Sequence, residues 1–147
     1  MIKLFDLLNE SIKIKTTKED EDRIKISIPE VGFVTLVSTF PEYEFLDDLP
    51  ASEIEDFENE FGISEGDLIG KIEHIDIDPN KRGQGYAKIL MKAAIQKAEK
   101  LGWTPIYLNA SPMGYNGLNI EDLTNFYSKF GFKTFKSQGG NNLMIRK

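Results

Sequence analysis

The chain has 147 residues, 40% apolar and 29% charged, with 24 acidic against 18 basic side chains and a formal net charge of −6. That length supports one proper core, and the composition is that of an ordinary globular domain rather than a disordered or fibrous one. Cysteine is absent and His74 is the single histidine. Disulfides, thiolate metal centres and a cysteine nucleophile are therefore excluded, and a histidine-based metal site is not expected.

Residues 41–67 carry eleven acids and no Lys or Arg, which leaves the remainder with a balance of +5. No basic stripe of the kind a nucleic-acid binder needs is present, and no apolar run is long enough to span a bilayer. Neither nucleic acid nor a membrane is expected as a partner. The opening Met1–Glu10 mixes acids into its apolar stretch and has no small-residue cleavage site, unlike a secretory signal. The cytoplasm is the expected compartment. One domain over residues 1–147 is expected, with 41–67 as an acidic insert.

In chain order, Ile2, Leu4, Phe5, Leu7 and Leu8 suggest a short N-terminal helix. Ile12–Lys15 alternates and predicts a strand, followed by a polar turn over Thr16–Asp22. Ile24, Ile26 and Ile28 alternate in a second strand, and Phe33–Phe40 is rich in β-branched and aromatic residues, a third. Short turns between them favour an antiparallel meander. Within the acidic segment, Ser52 and Glu55 form a capping-box pattern. Ile54, Phe57 and Phe61 have helical spacing, and Gly62 is a stop signal.

Leu68–Asp78 predicts a fourth strand with a fault in its alternation. Ile75 and Ile77 share a face, but Ile72 precedes Ile75 by an odd number of residues. Either a bulge near Glu73-His74 absorbs one residue or the strand is buried on both faces. A helix over Gly85–Leu101 follows, with Ala87, Leu90, Met91, Ala94, Ile95, Ala98 and Leu101 as its apolar stripe and Gly102 as its stop. Ile106–Ala110 is a strand, parallel to the fourth through that helical crossover. Asn119 caps a further helix whose buried face is Leu123, Phe126 and Phe130. Phe132–Lys136 and Asn142–Arg146 close the sheet around a Gly139-Gly140 turn.

The junction between the fourth strand and the long helix, Arg82-Gly83-Gln84-Gly85-Tyr86-Ala87, is chemically the most telling segment. A glycine-rich turn that opens a helix presents unpaired N–H groups at the positive end of the helix dipole, a site suited to phosphate. Lys81, Lys88 and Lys92 add positive charge. The turn is neither a dinucleotide fingerprint nor a Walker loop, and taken alone it is weak evidence, its bland reading being a glycine loop with a surface arginine.

Arg82-x-x-Gly85-x-Ala87 resembles the R/Q-x-x-G-x-G/A motif of the GNAT superfamily of N-acetyltransferases. Phe126-Tyr127-Ser128-Lys129-Phe130-Gly131-Phe132 resembles that family's second signature, a Tyr four residues before a Gly-Phe pair. The two occur in the family's order, bridged by a strand, and the likeness covers residues 68–136 best. It implies an α/β (α+β) GNAT fold: a mixed, mostly antiparallel sheet with a splayed central parallel pair and helices on both faces. It also implies acetyl transfer from acetyl-CoA to a primary amine. The pyrophosphate would rest on the amides of Arg82, Gly83, Gln84, Gly85, Tyr86 and Ala87. The pantetheine arm would run between the strands of Ile75, Asp76 and Ile77 and of Tyr107–Asn109.

An attacking ammonium must lose a proton, and a lysine-like amine has a pKa of about 10.4, so a base or a water chain is useful. Glu73 is the candidate, with His74 and Asp76 as second choices. Glu73 can equally be a strand carboxylate in an ion pair or facing solvent. A backbone N–H near Ile75 could stabilise the oxyanion. Tyr127 occupies the family's general-acid position, and its alternative role is a core aromatic beside Phe126. Without cysteine, direct attack is the expected route.

The chain also departs from the family. Only a polar turn separates its first two legible strands, where the family places two helices that help to form the acceptor site. Ile120 stands where an Asn is common, with Asn119 and Asn125 nearby. The acidic 41–67 segment suggests a cationic acceptor such as a polyamine, an aminoglycoside-like molecule, a protein lysine or an N-terminus. Otherwise it is a solvated surface. The competing reading is a non-catalytic CoA-binding or protein-interaction module. A homodimer is left open, as is a virus-encoded protein acting in host cytoplasm, from a short likeness of Met1–Glu10 to tailed-phage N-termini.

Overall fold

The computed structural model describes residues 13–40, 50–64, 66–111, 119–138 and 141–146. The expected N-terminal helix and the Gly139-Gly140 turn lie outside them. Alternation builds the first half of the sheet. Ile24, Ile26 and Ile28 of β2 (Arg23–Ile28) and Val34 and Leu36 of β3 (Gly32–Thr39) point into one core. Both strands pair antiparallel, and β3 continues the meander into β4 (Ile69–Ile77).

The first strand differs from expectation. β1 is Lys15–Asp20, so the segment read as a turn is mostly strand, and Ile14 lies before it, exposed. Every β1 residue is exposed, and Glu21-Asp22 turns the chain back onto β2 with Lys15 opposite Ser27. An edge strand with two wet faces has no apolar alternation to read. Its charges also discourage pairing with another chain.

Helix α1 (Ala51–Phe61) ends at Gly62 in the left-handed conformation, as the stop signal required. Its start is not the capping box. Pro50 is the N-cap, no side chain caps the helix, and the Glu53 and Ile54 amides donate to the Pro50 carbonyl at 2.9 and 3.1 Å. Proline's fixed φ brings the chain into the helix two residues earlier than Ser52 would. Phe57 is fully buried in a second, smaller core with Ile63, Ile69, Tyr107, Leu143 and Ile145.

Helix α2 (Tyr86–Leu101) and α3 (Ile120–Ser128) pack on the opposite face of the sheet. In α2 the buried stripe contains Ile89 in addition to Leu90, Met91, Ala94, Ile95 and Ala98, while Leu101 is exposed in the last turn. The Asn119 side chain caps α3, accepting from the Asp122 amide at 2.8 Å. Leu123 and Tyr127 are its buried residues. Phe126 and Phe130, expected to be buried, pack only partly on the core. The helix is rotated so that the tyrosine faces inward.

The sheet has seven strands in the order β1-β2-β3-β4-β5-β7-β6, with β5 (Ile106–Ala110), β6 (Lys133–Gln138) and β7 (Asn141–Arg146) completing it. The β4–β5 pair is parallel and every other pair antiparallel. The α/β sheet with its parallel centre and helices on both faces agrees with the expected fold.

Gly70 sits where β4 and β5 meet. A Cβ there would lie 2.7 Å from the Trp103 carbonyl oxygen, and its amide donates to the Pro105 carbonyl at 3.1 Å. Gly70→Ala is expected to destabilise the fold by about 1–3 kcal/mol through overpacking against backbone. A thermal melt that leaves the midpoint in place would contradict this.

Candidate functional site

The fault in the β4 alternation is a bulge. Thr35 faces His74 and Leu36 faces Ile72, so Glu73 is the additional residue. Ile72 and Ile75 therefore both reach the core despite their odd spacing, while Glu73, His74 and Asp76 lie exposed. That exposure rules out burial on both faces from Glu73 to Ile77, although the start of β4 is covered on both, with Ile69 in the second core.

The parallel pair opens immediately beside the bulge. Only Gly70 with Ile106 and Lys71 with Tyr107 are in register, and from Ile72 to Ile77 β4 runs without a ladder to β5. Strand backbone left unpaired inside a sheet must find other hydrogen-bond partners, so such a gap is unusual outside binding sites.

Beyond Ile77 the chain turns through Pro79–Lys81, capped by Asp78, whose carboxylate accepts from the Asn80 amide at 2.9 Å. Arg82 folds back, its Nε donating to the Ile77 carbonyl at 3.0 Å and its Nη2 standing 4.0 Å from Asp76 Oδ1. Gly83 and Gly85 have φ of 79° and 85°, and a Cβ at either would meet nothing within 4 Å. Glycine is required by conformation here, and the open space lets another group come close to the backbone. Gly85 is the α2 N-cap and no side chain caps it. The first amides of α2 thus face outward at the positive end of its dipole.

A pocket of about 350 Å³ joins these parts. Ile75 and Ile77 of β4 form one wall, Leu123, Phe126 and Tyr127 of α3 another, and Lys81, Arg82, Gly83, Gly85, Tyr86, Ala87 and Lys88 its rim. Every charged residue on the lining is basic. An apolar throat with a cationic, amide-rich mouth suits a long flexible ligand ending in a diphosphate. That donor set is of the kind coenzyme A requires, and the amides of the turn ending at Ala87 would be the ones to meet its phosphates.

Eight of the expected site residues line this pocket: Ile75, Ile77, Arg82, Gly83, Gly85, Tyr86, Ala87 and Tyr127. Gln84, Glu73, Asp76 and Asn109 do not. The Gln84 amide group donates to the Asn80 carbonyl at 3.5 Å, and Asn109 is an exposed β5 residue opposite Leu143. Leu123 and Phe126 are lining residues that the sequence reading used only as core. Their signal was the helical spacing that sets Leu123 three residues before Phe126 and four before Tyr127.

Tyr127 is 8% exposed and packs edge-on against Phe126 and Phe132 at ring separations of 5.3 and 6.3 Å. Burial raises its phenol above the ordinary value, because a phenolate loses more solvation than a phenol. Glu73 lies on the other face of the sheet and holds Arg23 in a two-pronged ion pair at 2.6 and 3.2 Å. That hydrogen bond is the main cause holding the Arg23 guanidinium above its usual value.

A sequence-family profile described as an acetyltransferase (GNAT) domain matches residues 29–134. The chain belongs to the GNAT acetyltransferase family. A comparison with curated proteins found no match. Among solved structures, PH1933 from Pyrococcus horikoshii OT3 is similar at 20% identity and a TM-score of 0.56, over 85% of this chain and 64% of that one. The chain therefore spans less than two thirds of that protein's length. Arabidopsis thaliana NAA60 in complex with a bisubstrate analogue is similar at 17% identity and a TM-score of 0.54, over 86% and 77% of the two chains. The PaiA N-acetyltransferase of Thermoplasma acidophilum, solved with coenzyme A, is similar at 16% identity and a TM-score of 0.51, over 97% and 70%. At these identities the likeness concerns the GNAT fold. Within this GNAT chain, no described helix is long and apolar enough to cross a membrane, and no described cluster of His, Asp and Glu could hold a metal ion.

Proposed function

We propose that this GNAT protein transfers an acetyl group from acetyl-CoA to a primary amine by direct attack. The observation that carries the reading is the opening between β4 and β5 beside an uncapped, glycine-led helix. When bound, acetyl-CoA would supply a thioester whose C–S bond breaks as the new C–N bond forms. The Gly83–Lys88 amides and Arg82 would bind its diphosphate, and Ile75, Ile77, Leu123 and Phe126 would keep water from the arm. A β4 amide near Ile75 would donate to the carbonyl oxygen as it gains charge.

Two protons must move. The acceptor arrives as an ammonium and gives one up, and Glu73 is the proposed recipient, directly or through water. The departing sulfur gains one, and Tyr127 is the proposed donor. Its raised pKa keeps the phenol protonated at neutral pH, which makes it a dependable hydrogen-bond donor though a weaker acid. The acidic helix α1 favours an ammonium by its field. It packs over β5, β7 and the start of β4, and its Glu53 pairs with Lys136.

The pairing of Glu73 with Arg23 supports a second reading, a module that binds coenzyme A without turning over. Calorimetry with acetyl-CoA and a thiol-release screen across amines separate the two. Micromolar binding with thiol release on at least one amine is expected. Binding with no release on any acceptor would favour the module, and no binding at millimolar acetyl-CoA would overturn both.

A further inference from the structure

Resting on the proposed transfer reaction, the geometry points to an acceptor that is a zwitterion, a free amino acid, with its ammonium taken by Glu73 and its carboxylate by Arg23. Glu73 belongs to the bulge of β4, the strand that parts from β5 after Lys71, and its side chain lies on the face opposite the coenzyme pocket, directed over β3 toward Arg23. Arg23 reaches it from β2, across the intervening β3, and holds both of its oxygens. Both side chains are a little over a third exposed, at 37% and 36%. An ion pair that wet adds little to stability, so a ligand that offers each group a new partner can replace it at little cost.

Charge selects the occupant. A simple cation that engaged Glu73 would have to displace Arg23 and then stand beside a guanidinium stripped of its partner. Two cations would share one carboxylate, with Glu19 and Asp22 as the other acids acting on Arg23. A zwitterion inserted between the two satisfies both at once: ammonium on carboxylate, carboxylate on guanidinium. The planar guanidinium fork matches a carboxylate two-pronged, which an ammonium head cannot do. The neighbouring cations on this face differ in kind. Lys25 lies over the Phe33 ring at 4.5 Å and Lys71 over the Tyr107 ring at 5.7 Å. Phe33 also stacks near His74 at 5.7 Å, giving the acceptor's side chain an aromatic shelf.

The test uses matched pairs that differ only by the carboxylate: L-alanine against ethylamine, and L-lysine against cadaverine. Affinity is read by calorimetry on the full chain saturated with coenzyme A, and turnover by thiol release. The amino acid is expected to bind at least tenfold more tightly than its partner. In Arg23→Ala that preference is expected to fall at least tenfold, and in Arg23→Lys to recover in part. Equal affinity within each pair, tighter binding of cadaverine, or a preference that survives Arg23→Ala would overturn the proposal. If the preference holds without thiol release on any amine, the acceptor site stands and the transfer reaction falls. If thiol release is as efficient with ethylamine and cadaverine as with the amino acids, the transfer reaction stands and the zwitterion site falls. A thermal melt of Arg23→Ala close to that of the native chain shows that the effect is not unfolding.

Discussion

Replacing Tyr127 by Phe is expected to lower kcat by about a hundredfold or more, the range for loss of a positioned proton donor, while acetyl-CoA binds as before. The substitution removes one oxygen from a side chain whose ring stays between Phe126 and Phe132. Packing and the pocket wall are preserved, so ground-state binding should hold and only the step that delivers a proton to sulfur should slow. Single-turnover thiol release, set against calorimetric affinity, reads the two effects separately. A kcat within a few fold of native would reduce Tyr127 to a wall residue. The phenol's raised pKa adds a pH signature. It is protonated in both folded and unfolded chains below about pH 10, so it costs no stability there. As pH rises through the unfolded value the unfolded chain ionises first, and the folded state loses stability. Tyr127→Phe should blunt that alkaline loss in a pH-dependent melt.

Gly85→Asp should abolish coenzyme A binding while leaving the helix intact. Asp is among the residues that tolerate a left-handed backbone, and it is a favoured helix N-cap, so α2 should survive the change. The new carboxylate, however, would stand where the diphosphate is proposed to rest. Two unit charges about 4 Å apart near a protein surface repel by about 4 kcal/mol, roughly a thousandfold in affinity. Gly85→Ala is the control: about 1–2 kcal/mol of backbone strain without the charge. If the Asp variant bound acetyl-CoA like the Ala variant, the cradle would have to lie elsewhere.

Much of this protein was legible from local pattern. The Ile24, Ile26 and Ile28 alternation, the stripe from Leu90 to Ala98 and the glycine stops at 62 and 102 each encode an element without reference to the rest of the chain. The misreadings occurred where that code is silent. β1 has both faces in water and so carries no alternation. Ser52 makes a good capping box on paper, but Pro50 dictates where the chain enters the helix. Phe126 and Tyr127 are adjacent aromatics, and only packing against Phe132 and the sheet chose which one turns inward.

The site divides in the same way. The phosphate-type turn is local chemistry: glycines with positive φ, a basic flank and a helix start adjoin in sequence, so Arg82–Ala87 could be read directly. The odd spacing of Ile72 and Ile75 likewise announced a bulge or a strand buried twice, and left the choice open. Which one holds, how far β4 parts from β5, and that Arg23 reaches Glu73 are decided by contacts between residues as many as fifty positions apart. Hydrophobic periodicity says which side of an element is dry. It carries no information on which charged residues of distant strands meet on the wet side, because either partner would be equally soluble alone.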